Sequence, residues 1–265
     1  MIESEVQPAP PAPAVAPPPQ HREFHLTISG ALQWLLSVVV IAAFVMTFIV
    51  QAFEIPSSSM EDTLLIGDYL LVDKIDFANG GFWTPLMPYK KIQRGDIIVF
   101  RYPVHPQQHF VKRVIGVPGD RVHLSNGQVY VNGQPTIEPY VIHHATQRNY
   151  YRDDFPTTRY IDGNVDSHWW IQMRKLIEDG NLIVPEGHYF VLGDNRDESL
   201  DSRYWGFVPR ENIVGRPLLI YWSINRDADA FPEDNSANAK LIRLVNSIRH
   251  GFRDTRWNRT MRVVR

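Results

Sequence analysis

Hydrophobic and polar positions divide the chain into stretches of different rhythm. Residues 1–30 centre on a Pro/Ala run from Pro8 to Pro19 that offers no apolar face and predicts an extended, polyproline-like tail. A plain spacer and a ligand for a proline-binding module both fit it. From Ala31 to Phe53 the residues are apolar apart from Gln33, Ser37, Thr47 and Gln51, and none is charged. At about 1.5 Å per residue this run is long enough to cross a bilayer core of about 30 Å, so a transmembrane helix is predicted over 31–53. A cleaved signal peptide is the rival, because Val50-Gln51-Ala52 resembles a small-residue cleavage site. Against it stand Glu3, Glu5 and Glu23 ahead of the run, and the length of the run itself. Arg22 precedes the run and no Lys or Arg follows it before Lys74, which places the N-terminus in the cytoplasm and the rest of the chain outside.

Beyond Glu54 the rhythm is that of strands. Tyr69-Leu70-Leu71-Val72, Asp96 to Tyr102, Phe110 to Ile115 and His188 to Leu192 are short, rich in β-branched and aromatic residues, and bounded by Gly and Pro. Asn126-Gly127 and Asn132-Gly133 bracket Gln128 to Val131 as two hairpin turns. Ser167 to Asp179 is the one helical candidate in this body. After Phe231-Pro232 the period becomes helical: Leu241, Leu244, Val245, Ile248 and Phe252 share a face among Lys240, Arg243, Arg249 and Arg253. Packing against the β body or lying on anionic lipid would each use that face. The expected architecture is mainly β. A barrel or sandwich core is built from 54–122 and 185–232, with an inserted irregular β subdomain at 123–184 and a basic helix and closing strand at 233–265.

Composition narrows the chemistry. With 27 Lys and Arg against 29 Asp and Glu among 265 residues, the chain lacks the basic excess of a nucleic-acid binder. It has no cysteine, which excludes disulfides, a thiol nucleophile and Cys-ligated metals. Ser57, Ser58 and Ser59 follow Pro56 directly after the apolar run, and six extended residues from Phe53 reach about 20 Å at most. A Ser-rich turn between two elements is the plain account of them, and a nucleophile held close to a bilayer is the other. A serine hydroxyl needs a base. The ten histidines suggest none: His105 and His109 flank Pro106 in a loop, and His143 and His144 lie in the insert. Lys112 interrupts the strand 110–116, where burial would depress its pKa by up to about 3 to 5 units and free an amine for that role. A lysine that turns to water beside Arg113 is the alternative. Gly193 to Gly206 is dense in hydrogen-bonding side chains. Its Arg196 and Arg203 alternate with Asp197 and Asp201, as a loop braced by internal ion pairs would require, although a solvated or calcium-like acidic loop is also open.

Taken together, Ile55 to Met60, Arg94 to Phe100, Lys112 to Asp120 and Gly193 to Gly206 closely resemble the motifs of the bacterial type I signal peptidases, over roughly 32–224. Arg256-Trp257-Asn258-Arg259 resembles that family's closing segment. The resemblance implies a membrane-bound serine endopeptidase that removes signal peptides from exported preproteins, cutting after Ala-x-Ala. It implies Ser59 as nucleophile and Lys112 as general base, with the Ser57 hydroxyl and the Ser59 N–H as oxyanion hole. Ser199 would orient Lys112, and Asp201 and Arg203 would brace the loop. Ile55, Met60, Leu64, Phe110 and Val111 would line shallow pockets. No metal or cofactor is implied. The implied partners are signal peptides, membrane lipid and the vicinity of the export translocon. The implied location is the inner (cytoplasmic) membrane, single-pass, with the catalytic domain on the outer, periplasmic side.

One position departs from the family. Asp62 stands where the family usually has Pro, and losing a residue with fixed φ is expected to loosen the turn after the nucleophile without touching the reacting groups. Two readings compete with the peptidase. A catalytically silent, membrane-anchored module that binds extended peptides by β-addition has no need of all three of Ser59, Lys112 and Ser199. A soluble self-cleaving repressor-like Ser-Lys protease is opposed by the apolar run and by the lack of a DNA-binding helix pair.

Overall fold

A computed structural model describes residues 28–45, 49–74, 91–225 and 254–264. The chain divides into residues 1–42 and 43–265. Most of the expected Pro-rich tail and of the basic segment after 232 lies outside the described residues. The first described element is helix α1 (Ile28–Phe44), whose 17 residues include no charge and expose Trp34, Leu35, Leu36, Val40 and Ile41.

The expectation of one helix over 31–53 needs correcting at its end. Val50–Glu54 forms strand β1, paired antiparallel with β2 (Asp68–Asp73) from Val50↔Asp73 to Glu54↔Tyr69. Among the described residues no helix is long and apolar enough to cross a membrane. Hydropathy alone does not mark this change, because an apolar helix passes into an apolar strand. Only pairing with β2 distinguishes them.

Strands β3 (Ile97–Arg101), β4 (His109–Gly116), β5 (Arg121–Ser125), β6 (Gln128–Val131) and β7 (Gln134–Pro135) follow. After helices α2 (Tyr150–Asp153) and α3 (Ser167–Met173) come β8 (Ile177–Glu178), β9 (Asn181–Ile183) and β10 (His188–Leu192). Helix α4 (Ser202–Trp205), β11 (Val208–Pro209), β12 (Ile213–Ser223) and β13 (Arg262–Val263) complete the order. The protein is mainly β. One sheet runs β1-β2-β12-β3-β4-β10-β11, with β13 added to β12, and a second runs β7-β6-β5-β9-β8. All pairings within both sheets are antiparallel.

The second sheet is a series of tight hairpins. Asn126-Gly127, Asn132-Gly133 and Asp179-Gly180 each place two successive residues at positive φ, as a type I′ turn demands. The last of these shortens the expected helix 167–179. Asp166 caps α3 by accepting from Trp169 N–H, but Ile177 and Glu178 turn back against Asn181 and Leu182, so the helix stops at Met173.

Strand β3 separates two apolar cores by its two-residue period. Ile98 and Phe100 pack into a large cluster with Val114, Phe155, Trp169, Phe190 and Phe207, which joins the two sheets. Ile97 and Val99 face a smaller one formed with Ile55, Met60, Leu64, Leu70, Val72 and Ile220. The serine-rich turn is seated on the smaller cluster.

Candidate active site

Strand pairing holds the serine turn at both ends. Ile55 N–H donates to Asp68 C=O at 2.9 Å, and Gly67 N–H donates to Ile55 C=O at 3.0 Å, which continues the ladder past β1. Pro56 lacks an N–H and Ser57 is extended (φ −135°, ψ 156°), so the chain leaves the ladder and turns through one 3₁₀ turn at Ser58–Met60. Met60 and Leu64 drop into the small core, and Leu64 N–H closes the loop on Met60 C=O at 2.7 Å.

Glu61 is extended (φ −52°, ψ 152°) and Asp62 lies at φ +71°, in the left-handed region. A proline could not occupy position 62 in this backbone. The Leu64 N–H to Met60 C=O hydrogen bond at 2.7 Å closes the turn around this left-handed Asp62.

Lys112 Nζ lies 2.5 Å from Ser59 Oγ. The protonated amine donates to the hydroxyl, and a neutral amine can accept its proton. Ser59 is 7% exposed and Lys112 3%. Lys112 sits in β4 across from Ile98, while Arg113, the next residue, is also buried; neither turns to water. Burial is the largest influence on Lys112 and lowers its pKa from 10.5 to about 8, against the raising effects of Asp201 and then Asp194, with Arg203 lowering it further.

The buried charge of Arg113 is met by Asp194, through Nε at 2.9 Å and Nη2 at 2.7 Å, and by Gly95 C=O at 2.9 Å; its guanidinium stacks 3.7 Å from the Tyr140 ring centroid. Asp194 also accepts from Thr63 Oγ1 at 2.6 Å. The strand that carries the lysine is thereby tied to the loop that carries the serine. The sequence reasoning did not find this link; a second basic residue beside Lys112 in an apolar strand was its one available signal.

From the 193–206 segment, Asn195 N–H donates to Ser59 C=O at 3.2 Å. Gly193 packs so closely that a Cβ there would collide with the Ser59 carbonyl and the Ser199 hydroxyl. Asp201, fully buried, accepts from Arg203 Nε and Nη2 at 2.8 Å each and from Gly193 N–H at 3.1 Å, and its carboxyl stays below the usual range despite burial because Arg203 faces it. The Arg203 carbonyl in turn accepts from Tyr151 Oη at 2.6 Å and Trp169 Nε1 at 3.0 Å. Ser199 Oγ is buried beside Asp201, and its hydroxyl helps to hold that carboxyl below the usual range. Ser57 Oγ lies 3.4 Å from Ser59 Oγ.

The far side of the turn is clasped by residues distant in sequence. Asp68, fully buried, accepts from Ser223 Oγ at 2.6 Å and Arg259 Nη2 at 2.6 Å, and Arg259 also donates to Thr63 C=O at 3.0 Å.

A cleft of about 260 Å³ opens onto Ser59 and Lys112. Ile55, Met60, Phe110 and Val111 line it together with Phe53, Ser57 and Val99, whereas Leu64 is buried in the core and does not reach it. A larger hollow of about 370 Å³, between Thr63 and Arg262 to Val264, contains no nucleophile–base pair. Among the described residues no group of three or more His, Asp or Glu is arranged to hold a metal ion. A buried serine in contact with an amine of lowered pKa, at the base of a small cleft, has the parts of a serine hydrolase that uses lysine as its base.

The chain belongs to the signal peptidase family, peptidase S26, whose family model matches residues 28–222. It is 36% identical over 224 residues to signal peptidase I of Aquifex aeolicus, covering 71% of this chain and 82% of that protein. It is 37% identical over 199 residues to signal peptidase I of Pseudomonas fluorescens, covering 67% of this chain and 66% of that one. A crystal structure of a signal peptidase I from Enterococcus faecalis is 37% identical, with a TM-score of 0.36 over 48% of this chain and 97% of that one.

Proposed function

We propose that this protein removes signal peptides from exported preproteins as a serine endopeptidase, with Ser59 as nucleophile and Lys112 as general base. The observation that carries the reading is the buried 2.5 Å contact between Lys112 Nζ and Ser59 Oγ, with the amine pKa lowered to about 8. Neutral Lys112 takes the Ser59 proton as Oγ attacks the scissile carbonyl. The Ser57 hydroxyl and the Ser59 N–H stabilise the oxyanion, and Lys112 passes its proton to the leaving amine. Water then hydrolyses the acyl-enzyme by the same route in reverse. Ser199, whose hydroxyl is buried beside Asp201, steadies the amine, and the Asp201–Arg203 pair braces the segment that carries Ser199.

The cleft volume of about 260 Å³ and its apolar wall of Ile55, Met60, Phe110 and Val111 suit small side chains before the cut, as in Ala-x-Ala. The uncharged helix α1, with its exposed Trp34, Leu36 and Ile41, brings the enzyme to the export membrane, with the body on the outer side.

The test is cleavage of a preprotein bearing an Ala-x-Ala site by the detergent-solubilised protein, beside Ser59→Ala and Lys112→Ala. The natural protein cuts after the second alanine and both variants lose activity almost wholly, because residues that act as one unit fail together. Equal inertness of all three, on a substrate that an established signal peptidase cuts in the same detergent, removes the enzyme reading and leaves a peptide-binding module.

A further inference from the structure

The cleft carries more charge than bond cleavage needs. Besides Lys112, its lining includes two carboxylates, Glu54 and Glu198, and His109. Burial and then Arg101 lower the His109 pKa below its ordinary 6.5, so this imidazole adds no positive charge at neutral pH. In its reactive form Lys112 is neutral as well. With Lys112 in that form, Glu54 and Glu198 are the formally charged side chains of the cleft's lining.

Glu198 is the carboxylate next to the chemistry. Its Oε2 accepts from Ser58 Oγ at 3.0 Å, one residue from the nucleophile, and its backbone N–H donates to Asn195 Oδ1 at 3.4 Å. Its side chain is exposed, and its hydrogen bond among the described residues is to a neutral hydroxyl. The preceding acid, Asp197, is engaged elsewhere, accepting from Ala145 N–H at 2.7 Å and pairing with Arg152 at 3.1 Å. Leu200, 51% exposed, lines the same cleft beside Glu198. A long cationic side chain can lay its methylenes on such a leucine and place its head on the carboxylate.

Building on the proteolytic reading above, we propose that Glu198 sets a charge preference for the peptide residues that follow the cut, favouring lysine or arginine and disfavouring aspartate or glutamate. The side after the cut is assigned because the apolar wall of Ile55, Met60, Phe110 and Val111 accommodates the small residues before it. Unit charges a few ångströms apart at a partly wet surface change a rate by about three- to tenfold for each sign, and added salt weakens the effect.

The experiment uses the full chain in detergent. The substrates are preproteins with one Ala-x-Ala site that differ only in carrying Lys, Gln or Glu at the first or second residue after the cut. The natural enzyme gives a Lys-to-Glu ratio of kcat/KM of about ten or more at low salt at one of these positions. Glu198→Gln lowers that ratio at least threefold, and Glu198→Lys inverts it. Ser58→Ala removes the tie to Glu198 but not the charge, and leaves the ratio within twofold. A ratio near one in the natural enzyme, a ratio unchanged in Glu198→Gln, or an equal collapse in Ser58→Ala overturns the proposal. Cleavage of the Gln substrate by the natural enzyme decides the proteolytic reading by itself: if that substrate is not cut, the reading and the preference fall together, and if it is cut, only the ratios bear on Glu198.

Discussion

Replacing Lys112 by methionine, which has about the same length and no charge, is expected to stabilise the protein at pH 7 while abolishing its activity. The folded chain lowers the Lys112 pKa from 10.5 to about 8, and the unfolded chain restores it. Between about 8 and 10.5 the unfolded state therefore binds more protons than the folded one, so stability rises with pH through that window and the full deficit is present below about 8. At about 1.4 kcal/mol for each tenfold change, the deficit at pH 7 is about 3 kcal/mol. Lys112 is 3% exposed, so solvent screening does not reduce it greatly. Methionine removes this term but forfeits the contact with Ser59 Oγ, a net loss of about 1 kcal/mol. The variant should be about 2 kcal/mol more stable at pH 7 and about 1 kcal/mol less stable above pH 10.5. Urea unfolding of both proteins in the same detergent, followed by tryptophan fluorescence at pH 7, 9 and 10.5, measures the difference. Other groups titrate alike in the two proteins and cancel. A methionine variant no more stable at pH 7, or a gap that does not change sign with pH, refutes the claim that burial holds the amine down. In the natural enzyme the same cause makes kcat/KM rise tenfold per pH unit and level off near pH 8.

Asp201→Asn removes the largest influence raising the Lys112 pKa and leaves Asp194 alone to oppose burial and Arg203, so the midpoint of the pH–rate profile should fall below 8. The unpaired buried Arg203 should also cost about 3 to 5 kcal/mol in urea unfolding. Asp62→Gly should stabilise by about 1 kcal/mol, since glycine accepts φ +71° without strain, and Asp62→Pro should destabilise by about 3 kcal/mol; the opposite order would mean that the turn is not as described. Gly193→Ala should push Ser199 and the Ser59 carbonyl apart and lower kcat by about a hundredfold with a smaller change in KM, measured on one Ala-x-Ala substrate.

The strands were legible because their composition and alternation are local: the runs 69–72, 96–102, 110–115 and 188–192 correspond to β2, β3, β4 and β10, and both Asn-Gly pairs form tight turns. The end of the apolar run was not legible, since Val50 to Phe53 would suit a helix or a strand and only pairing with Leu70 to Asp73 selects the strand. The contact of Ser59 with Lys112 is not visible in the spacing of 53 residues, and reached the sequence reading through resemblance rather than through geometry. Alternation in a strand also misled. It suggested that Lys112 or Arg113 would find water, yet Asp194, supplied by a loop 81 residues away, lets Arg113 remain inside. The positive φ of Asp62 was equally out of reach, because it depends on how Met60 and Leu64 both enter the core.

The clasp of Asp68 by Arg259 spans 191 positions. On the ribosome, the serine turn and its strand emerge while the cation that neutralises Asp68 and holds the Thr63 carbonyl is still unmade. For that whole interval Asp68 keeps its water and the Leu65 N–H, because Ser223 and Arg259, which enclose it in the finished fold, have not been made. The turn that carries Ser59 thus gains its final fastening only when another 191 residues have been added, and a chain cut off before that point carries both Ser59 and Lys112 but not the Arg259 that clasps the turn. Maturation of this site is timed by chain length.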